Sequence, residues 1–215
     1  MRPPRQHLQN RVDPFGRLVA APERGTLMGN RGGRIHHSDR TLGKTRWKSR
    51  QWISCLCQFK KRHREVWGAG YTELFFLDEV TALAAGHRPC FECRRADALA
   101  FQSAFSAGQG GGLLRAAEMD RILHAERLAS ARPAVRRLAL ADLPDGTVLA
   151  RGGTAFALRG GSLLTWSFGG YAKQVSAAAG EVLGVVTPPS IIAALTQGYR
   201  PLWHDSALRQ DTALD

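Results

Sequence analysis

Apolar positions along the chain follow two periods, and the change between them divides it. From Leu77 to Ala129 they recur at helical spacing. Leu77 to Ala85 reads as a short helix, with Asp78 as its cap, Val80, Leu83 and Ala84 on one face and Gly86 as its stop. A second helix is expected from Phe91 to Phe105, and a third, amphipathic one from Leu113 to Ala129. From Ala139 the pattern shortens. Thr147–Ala150, Ala155–Leu158, Ser162–Trp166 and Val182–Val186 read as short strands between glycine turns, a small antiparallel sheet or partial barrel. Pro188-Pro189 opens a last helix, Ser190 to Gln197. Trp166 and Tyr171 are expected to fill the sheet's core, and Tyr199 to His204 to pack back on the basic region in preference to contacting a ligand.

Before Leu77 the texture is different. Arg17–Ala20 is a possible short strand, and residues 46–59 read as a strand pair or one long strand. Gly29 to Arg34 reads as a glycine-rich turn able to approach a phosphate, although it matches neither nucleotide-binding loop pattern. The expected class is α+β. The expected organisation is a basic arm at 1–44, a zinc-centred module with short helices at 45–107, and a helix plus β-rich part at 108–215. That last part either shares the module's core or has its own.

Composition supports a folded chain: 44% of 215 residues are hydrophobic. No run is long and apolar enough to span a bilayer, and the first residues lack the apolar stretch of a signal peptide. A cytoplasmic protein is therefore expected, without a membrane partner. In that reducing compartment four cysteines point to metal binding or free thiols before disulfides.

The net charge of +12 lies entirely in residues 1–66, and the remainder is neutral. Such asymmetry is the footprint of a polyanion partner. Nucleic acid, with DNA ahead of RNA, is the expected partner, contacted by Arg31, Arg34, Lys44, Arg46, Lys48, Arg50, Lys60, Lys61 and Arg62. Trp47 and Trp52 lie among these cations, which suits phosphate contact combined with stacking.

Cys90 and Cys93 have the spacing at which two thiolates on a turn reach one tetrahedral ion. Cys93 is expected in the first turn of the following helix, where the dipole favours thiolate. Cys55 and Cys57 form a second pair, and their one-residue spacing on a strand means either that the strand bends or that only one binds. The expected zinc ligands are Cys55, Cys57, Cys90 and Cys93, with His63 and His87 as nearby substitutes.

The run from Tyr71 to Arg95, containing Phe75-Phe76, the short helix and Ala84-Ala85-Gly86-His87-Arg88-Pro89-Cys90-Phe91-Glu92-Cys93, resembles the second half of the zinc-binding module of Ada-type DNA-alkylation repair proteins. The match is ungapped over about 25 residues. It implies a four-ligand zinc site that includes Cys90 and Cys93, and a place in DNA repair or damage response. In that family the other two ligands are cysteines three residues apart, one of them a sacrificial methyl acceptor. Extended backward, the match places His63 at the second of them, which leaves Cys55, Cys57 and His63 to complete the site.

The leading functional expectation is a zinc-stabilised DNA-binding protein. The alternatives are a metal-dependent nuclease using His36 or His37, methyl transfer from DNA phosphotriesters to Cys55 or Cys57, and a non-enzymatic RNA-binding or adaptor role. Glu73, Asp78, Glu79 and Glu92 are possible carboxylates for the nuclease, although Asp78 and Glu79 read as cap and surface residues. Glu92 lies between two cysteines without a His-x-Glu element upstream, so the deaminase arrangement is excluded.

Overall fold

A computed structural model describes residues 7–62, 65–129, 134–135, 140–175 and 183–209. The class is α+β. The first sheet contains β1 (Arg11–Val12), β2 (Leu18–Val19), β3 (Leu27–Arg31), β4 (Trp52–Leu56), β5 (Leu74–Phe76) and β6 (Arg88–Pro89), in the order β2-β1-β5-β3-β4-β6. The segment expected as a basic arm thus supplies three strands of this sheet. Gly29, expected in a turn, lies inside β3: a Cβ there would come within 2.2 Å of the Ile53 carbonyl and 2.7 Å of the Phe76 ring. The glycine serves close packing, and the turn follows it at Gly32 and Gly33, where φ is +78° and +157°. Of the strand expected over 46–59, only β4 forms, and residues 44–48 are exposed.

Alternation gives this sheet two distinct faces. Leu27, Leu74 and Phe76 point to one side, where they join Val12, Ala82 and Ala85 in a buried cluster. Met28, Ile53, Cys55 and Phe75 point to the other, together with Cys90 and Cys93.

Helix α1 (Glu79–Ala84) is capped by Asp78, whose carboxylate accepts from the Thr81 amide at 2.9 Å. All six of its residues are buried, because it is covered on several sides. Ala82 faces the first sheet, Val80 and Ala84 meet the second sheet, and Leu83 meets the helical cluster. That cluster is formed by α2 (Arg95–Gly108), α3 (Ala116–Ala129) and α4 (Pro189–Thr196), through Phe101, Phe105, Met119, Leu123, Ile191 and Leu195.

The second sheet contains β7 (Ala134–Val135), β8 (Val148–Arg151), β9 (Thr154–Arg159), β10 (Ser162–Ser167), β11 (Gly170–Val175) and β12 (Gly184–Val185), in the order β11-β10-β9-β8-β12-β7, with antiparallel pairing throughout. Most of its strands match the expected positions, while β11 and the terminal helix α5 (Asp205–Leu208) add to them. Tyr171 is buried and donates to Asp78 at 2.9 Å. The Tyr199–His204 segment packs on α1 rather than on the basic region: Tyr199 and the Leu202 amide donate to Glu79, and the His204 amide donates to Asp78. No helix among the described residues is long and apolar enough to cross a membrane.

Candidate metal centre

The sulfur atoms of Cys55, Cys90 and Cys93 all lie within 4.8 Å of one another, and the three are positioned to bind a metal ion. Three consecutive residues of β4 organise this group. Cys55 is on the strand itself. The Ser54 carbonyl accepts from the Cys90 amide at 3.0 Å, continuing the parallel pairing of β4 with β6. The Leu56 amide donates to Cys93 Sγ at 3.4 Å. Between the last two cysteines the chain turns, and the Glu92 amide donates to Cys90 Sγ at 3.4 Å. Tetrahedral zinc with bonds of about 2.3 Å needs sulfurs about 3.8 Å apart, so only a modest contraction would close the group around an ion.

The sulfurs divide protons unevenly. A hydrogen bond from Cys55 holds the Cys90 thiol down to about 5, assisted by the amides of Cys93 and Glu92. Cys55 is the proton donor to Cys90 and is itself pushed up, with burial acting in the same direction. Burial also raises Cys93. A dication would favour the thiolate form of all three.

Cys57, an expected ligand, stands apart from this group. Regular alternation would place it on the same face as Cys55 but about 6.6 Å further along the strand, so the two reach one ion only if the strand bends. β4 ends at Leu56, however, and the Cys57 sulfur donates instead to the Thr26 carbonyl at 3.4 Å. His63 lies outside the described residues. His87 is fully buried on the other side of β4, near Trp52 and Phe76, and is not part of the cluster. Cys93 precedes α2, which starts at Arg95, instead of lying in its first turn.

A cavity of about 310 Å³ opens beside the cysteines and is also lined by Cys57, Phe59, Arg62, Tyr71 and Glu92. Arg62 and Glu92 form an exposed ion pair at 2.6 Å. Glu73 reaches the same cavity, but its carboxylate accepts from the buried Trp67 amide at 2.8 Å.

The other expected contacts divide by burial. Arg34, Lys44, Arg46, Lys48, Arg50, Lys60, Lys61 and Arg62 are exposed. Arg31 is buried: its guanidinium donates to His87 Nε2 at 3.3 Å and to the Gly16 carbonyl at 2.8 Å, and lies over the Trp52 ring. Trp52 is itself 7% exposed, which leaves Trp47 as the exposed indole of the pair. Among the nuclease candidates, His36 is buried, with Nδ1 on the Thr72 hydroxyl at 2.6 Å and Nε2 on the Gly68 carbonyl at 3.1 Å. Because a carbonyl only accepts, Nε2 carries the proton and neither nitrogen is free to act as a base. His37 is exposed.

Sequence reasoning misses the environment of Glu79. It is fully buried and faces Arg94, which immediately follows Cys93. No local pattern signals this, because its other partners, Tyr199 and Leu202, lie 120 and 123 residues away. No protein-family model matches the chain, and no curated protein or solved structure is significantly similar to it.

Proposed function

We propose that the protein is a zinc-stabilised nucleic-acid-binding protein, with DNA as the preferred polymer. On this reading Cys55, Cys90 and Cys93 hold zinc as thiolates, and exposed cations hold phosphates. The observation that carries it is the convergence of three thiols from two separate chain segments. Soft sulfur donors suit zinc over magnesium or calcium. The fourth position falls to Cys57, which lines the same cavity, to His63, or to water. The resemblance to Ada-type modules points to DNA repair or damage response as the setting.

The nucleic-acid half of the proposal rests on the loop from Lys44 to Gln51. It carries Lys44, Arg46, Lys48 and Arg50, with no carboxylate, around the partly exposed Trp47. Cations spaced along a strand-sized loop with an aromatic among them favour phosphate contact plus stacking.

Native mass spectrometry of the purified chain with and without a short DNA duplex tests both halves. One zinc per chain and a complex whose log affinity falls with log salt by about 0.9 per phosphate neutralised are expected. Replacing Lys44, Arg46, Lys48 and Arg50 by alanine reduces that slope by about one for each phosphate no longer neutralised. A folded chain without zinc overturns the metal assignment, and a salt-independent or absent complex overturns the nucleic-acid assignment.

A second reading is favoured by the cavity that opens on all three cysteines beside Arg62. A zinc-bound thiolate there would attack a methyl carbon of a phosphotriester, forming S–CH₃ as the C–O bond breaks and releasing the phosphodiester anion. Incubation with methylated DNA would then leave one methyl group on one cysteine, without turnover. An unchanged protein mass rejects this reading and leaves the binding reading intact.

A further inference from the structure

A second cavity, of about 290 Å³, lies away from the cysteines, between the turn after β1 and the chain around β12. Its wall is largely apolar, with Phe15, Ala84, Val185, Val186 and Pro188, and its polar lining comes from Arg17, Trp52 and Arg127. Behind it sits a concentration of positive charge, with Arg31 buried and Arg127 half-buried. The Arg31 guanidinium lies 3.9 Å from the centre of the Trp52 ring and that of Arg127 lies 4.3 Å from it.

Neither guanidinium has a carboxylate within ion-pair distance among the described residues. The nearby acids have other partners: Asp13 pairs with Arg17 at 2.6 Å, Asp120 with Arg88 through two bonds of 2.8 Å, and Glu126 accepts from the Ser190 amide and hydroxyl at 3.0 and 2.6 Å. Arg31 and Arg127 are left with the carbonyls of Gly16, Gly86 and Arg50 and the neutral His87 ring. Burial lowers Arg31 to about 9 and Arg127 to about 10, so both remain charged at neutral pH. Trp52 Nε1–H and Arg127 Nε–H are buried and make no hydrogen bond among the described residues. Unpaired charge and unmet donors in a protein interior are costly unless something supplies the missing acceptor.

We propose that this cavity is a binding site for a small organic anion, a carboxylate or phosphate monoester on an apolar body. Its head lies against Trp52 and the Arg127 guanidinium, and its body lies against Phe15, Ala84 and Val186. Inorganic anions would satisfy the donors but leave the apolar wall wet. Neutral ligands of the same shape would fill the wall but leave the two arginines without a counter-charge. The combination is what the lining selects. The assignment is independent of the metal centre, because Trp52 and Cys55 face opposite sides of the first sheet.

The test follows the indole N–H resonance of Trp52 in the ¹⁵N-labelled full chain, assigned by its loss in Trp52→Phe. The probes are phenyl phosphate and benzoate, with inorganic phosphate and benzyl alcohol as controls. A saturable shift with at least one organic anion is expected, at an affinity about tenfold or more above either control. Arg127→Met is expected to weaken that binding by about tenfold or more. The stronger of phenyl phosphate and benzoate identifies the head group. A Trp52 signal indifferent to both organic anions overturns the proposal, as does equal binding by the Arg127→Met protein. If Arg127→Met does not fold, the wild-type titration and the affinity of Arg127→Gln, read on the same Trp52 resonance, decide.

Discussion

Arg94, the residue after the third clustered cysteine, brings its Nη2 within 2.8 Å of the Glu79 carboxylate, with neither side chain exposed. The same nitrogen also lies 2.9 Å from the Asp97 carboxylate, so it sits between two acids. Further bonds hold the pair: Arg94 donates to Ser54 at 3.1 Å and to Asp97 at 3.0 Å, and Glu79 accepts from Tyr199 and Leu202. The pair joins the turn that holds Cys90 and Cys93 to the C-terminal segment.

Glu79→Gln removes the charge while keeping the shape, and leaves the Arg94 guanidinium buried without its main counter-ion. A loss of about 3–5 kcal/mol in unfolding free energy is expected, read from urea denaturation. Replacing both partners together with Glu79→Gln and Arg94→Met is expected to cost less than the sum of the two single changes. Additive effects would show that the pair does not act as a unit.

Metal removal provides a second test. With an ion held by three thiolates, a chelator lowers the melting temperature of the wild-type chain. Cys55→Ser, Cys90→Ser and Cys93→Ser start from a lower melting temperature and respond little to the chelator. Cys57→Ser discriminates further, since a wild-type response there removes Cys57 from the ligand set. Chelator-insensitive wild-type melting would argue against a structural ion.

His87 predicts an acid response. Burial, reinforced by the charges of Arg31 and Arg127, holds this imidazole well below its usual 6.5. The unfolded chain takes up that proton near pH 6.5 while the folded chain does not. Stability from this group is therefore complete above 6.5 and declines as the pH falls below it, by up to about 1.4 kcal/mol per pH unit. His87→Gln retains an acceptor for Arg31 and cannot titrate. Urea unfolding at pH 7.5, 6 and 5 is expected to show the variant losing less stability than the wild type as the pH falls, and parallel losses would contradict the assignment.

At Gly29 the prediction is steric. Any Cβ meets the Ile53 carbonyl at 2.2 Å, a backbone atom that cannot rotate away. Gly29→Ala is expected to cost about 3 kcal/mol or more, above the usual overpacking range because strands rather than side chains must separate. Thermal unfolding beside Gly32→Ala, where the nearest obstacle is the Ser49 side chain, separates close packing from turn strain.

The features readable in the sequence are the local ones. Asp78 precedes its helix by one residue and its carboxylate meets the Thr81 amide, a relationship contained in four residues. The Cys90–Cys93 spacing is equally short. Glu79 reads as surface because it is charged and follows the capping Asp78, while its partners are distant. Choosing between Cys55 and Cys57 depends on where β4 ends, which is set by pairing with Leu27 and not by the cysteines' own spacing. Gly29 and Gly32 look alike as letters, yet one accommodates a neighbouring strand and the other a left-handed turn. By charge and ring alone, Arg31 and Trp52 suggest a phosphate contact and a stacking surface. They are buried against each other because a guanidinium over an indole supplies part of the solvation it loses.

One strand, β4, supplies a cysteine at position 55, an acceptor for Cys90 at 54 and a donor for Cys93 at 56. A one-residue slip against β3 would turn Cys55 toward Phe76 and Trp52 toward the cavity, dispersing the sulfurs at the same moment as it spoils the core. On the proposed metal assignment, uptake of an ion would therefore depend on how the first sheet folds. At saturating metal, the fraction of chains that take up an ion would then count those whose first sheet closed in the correct register.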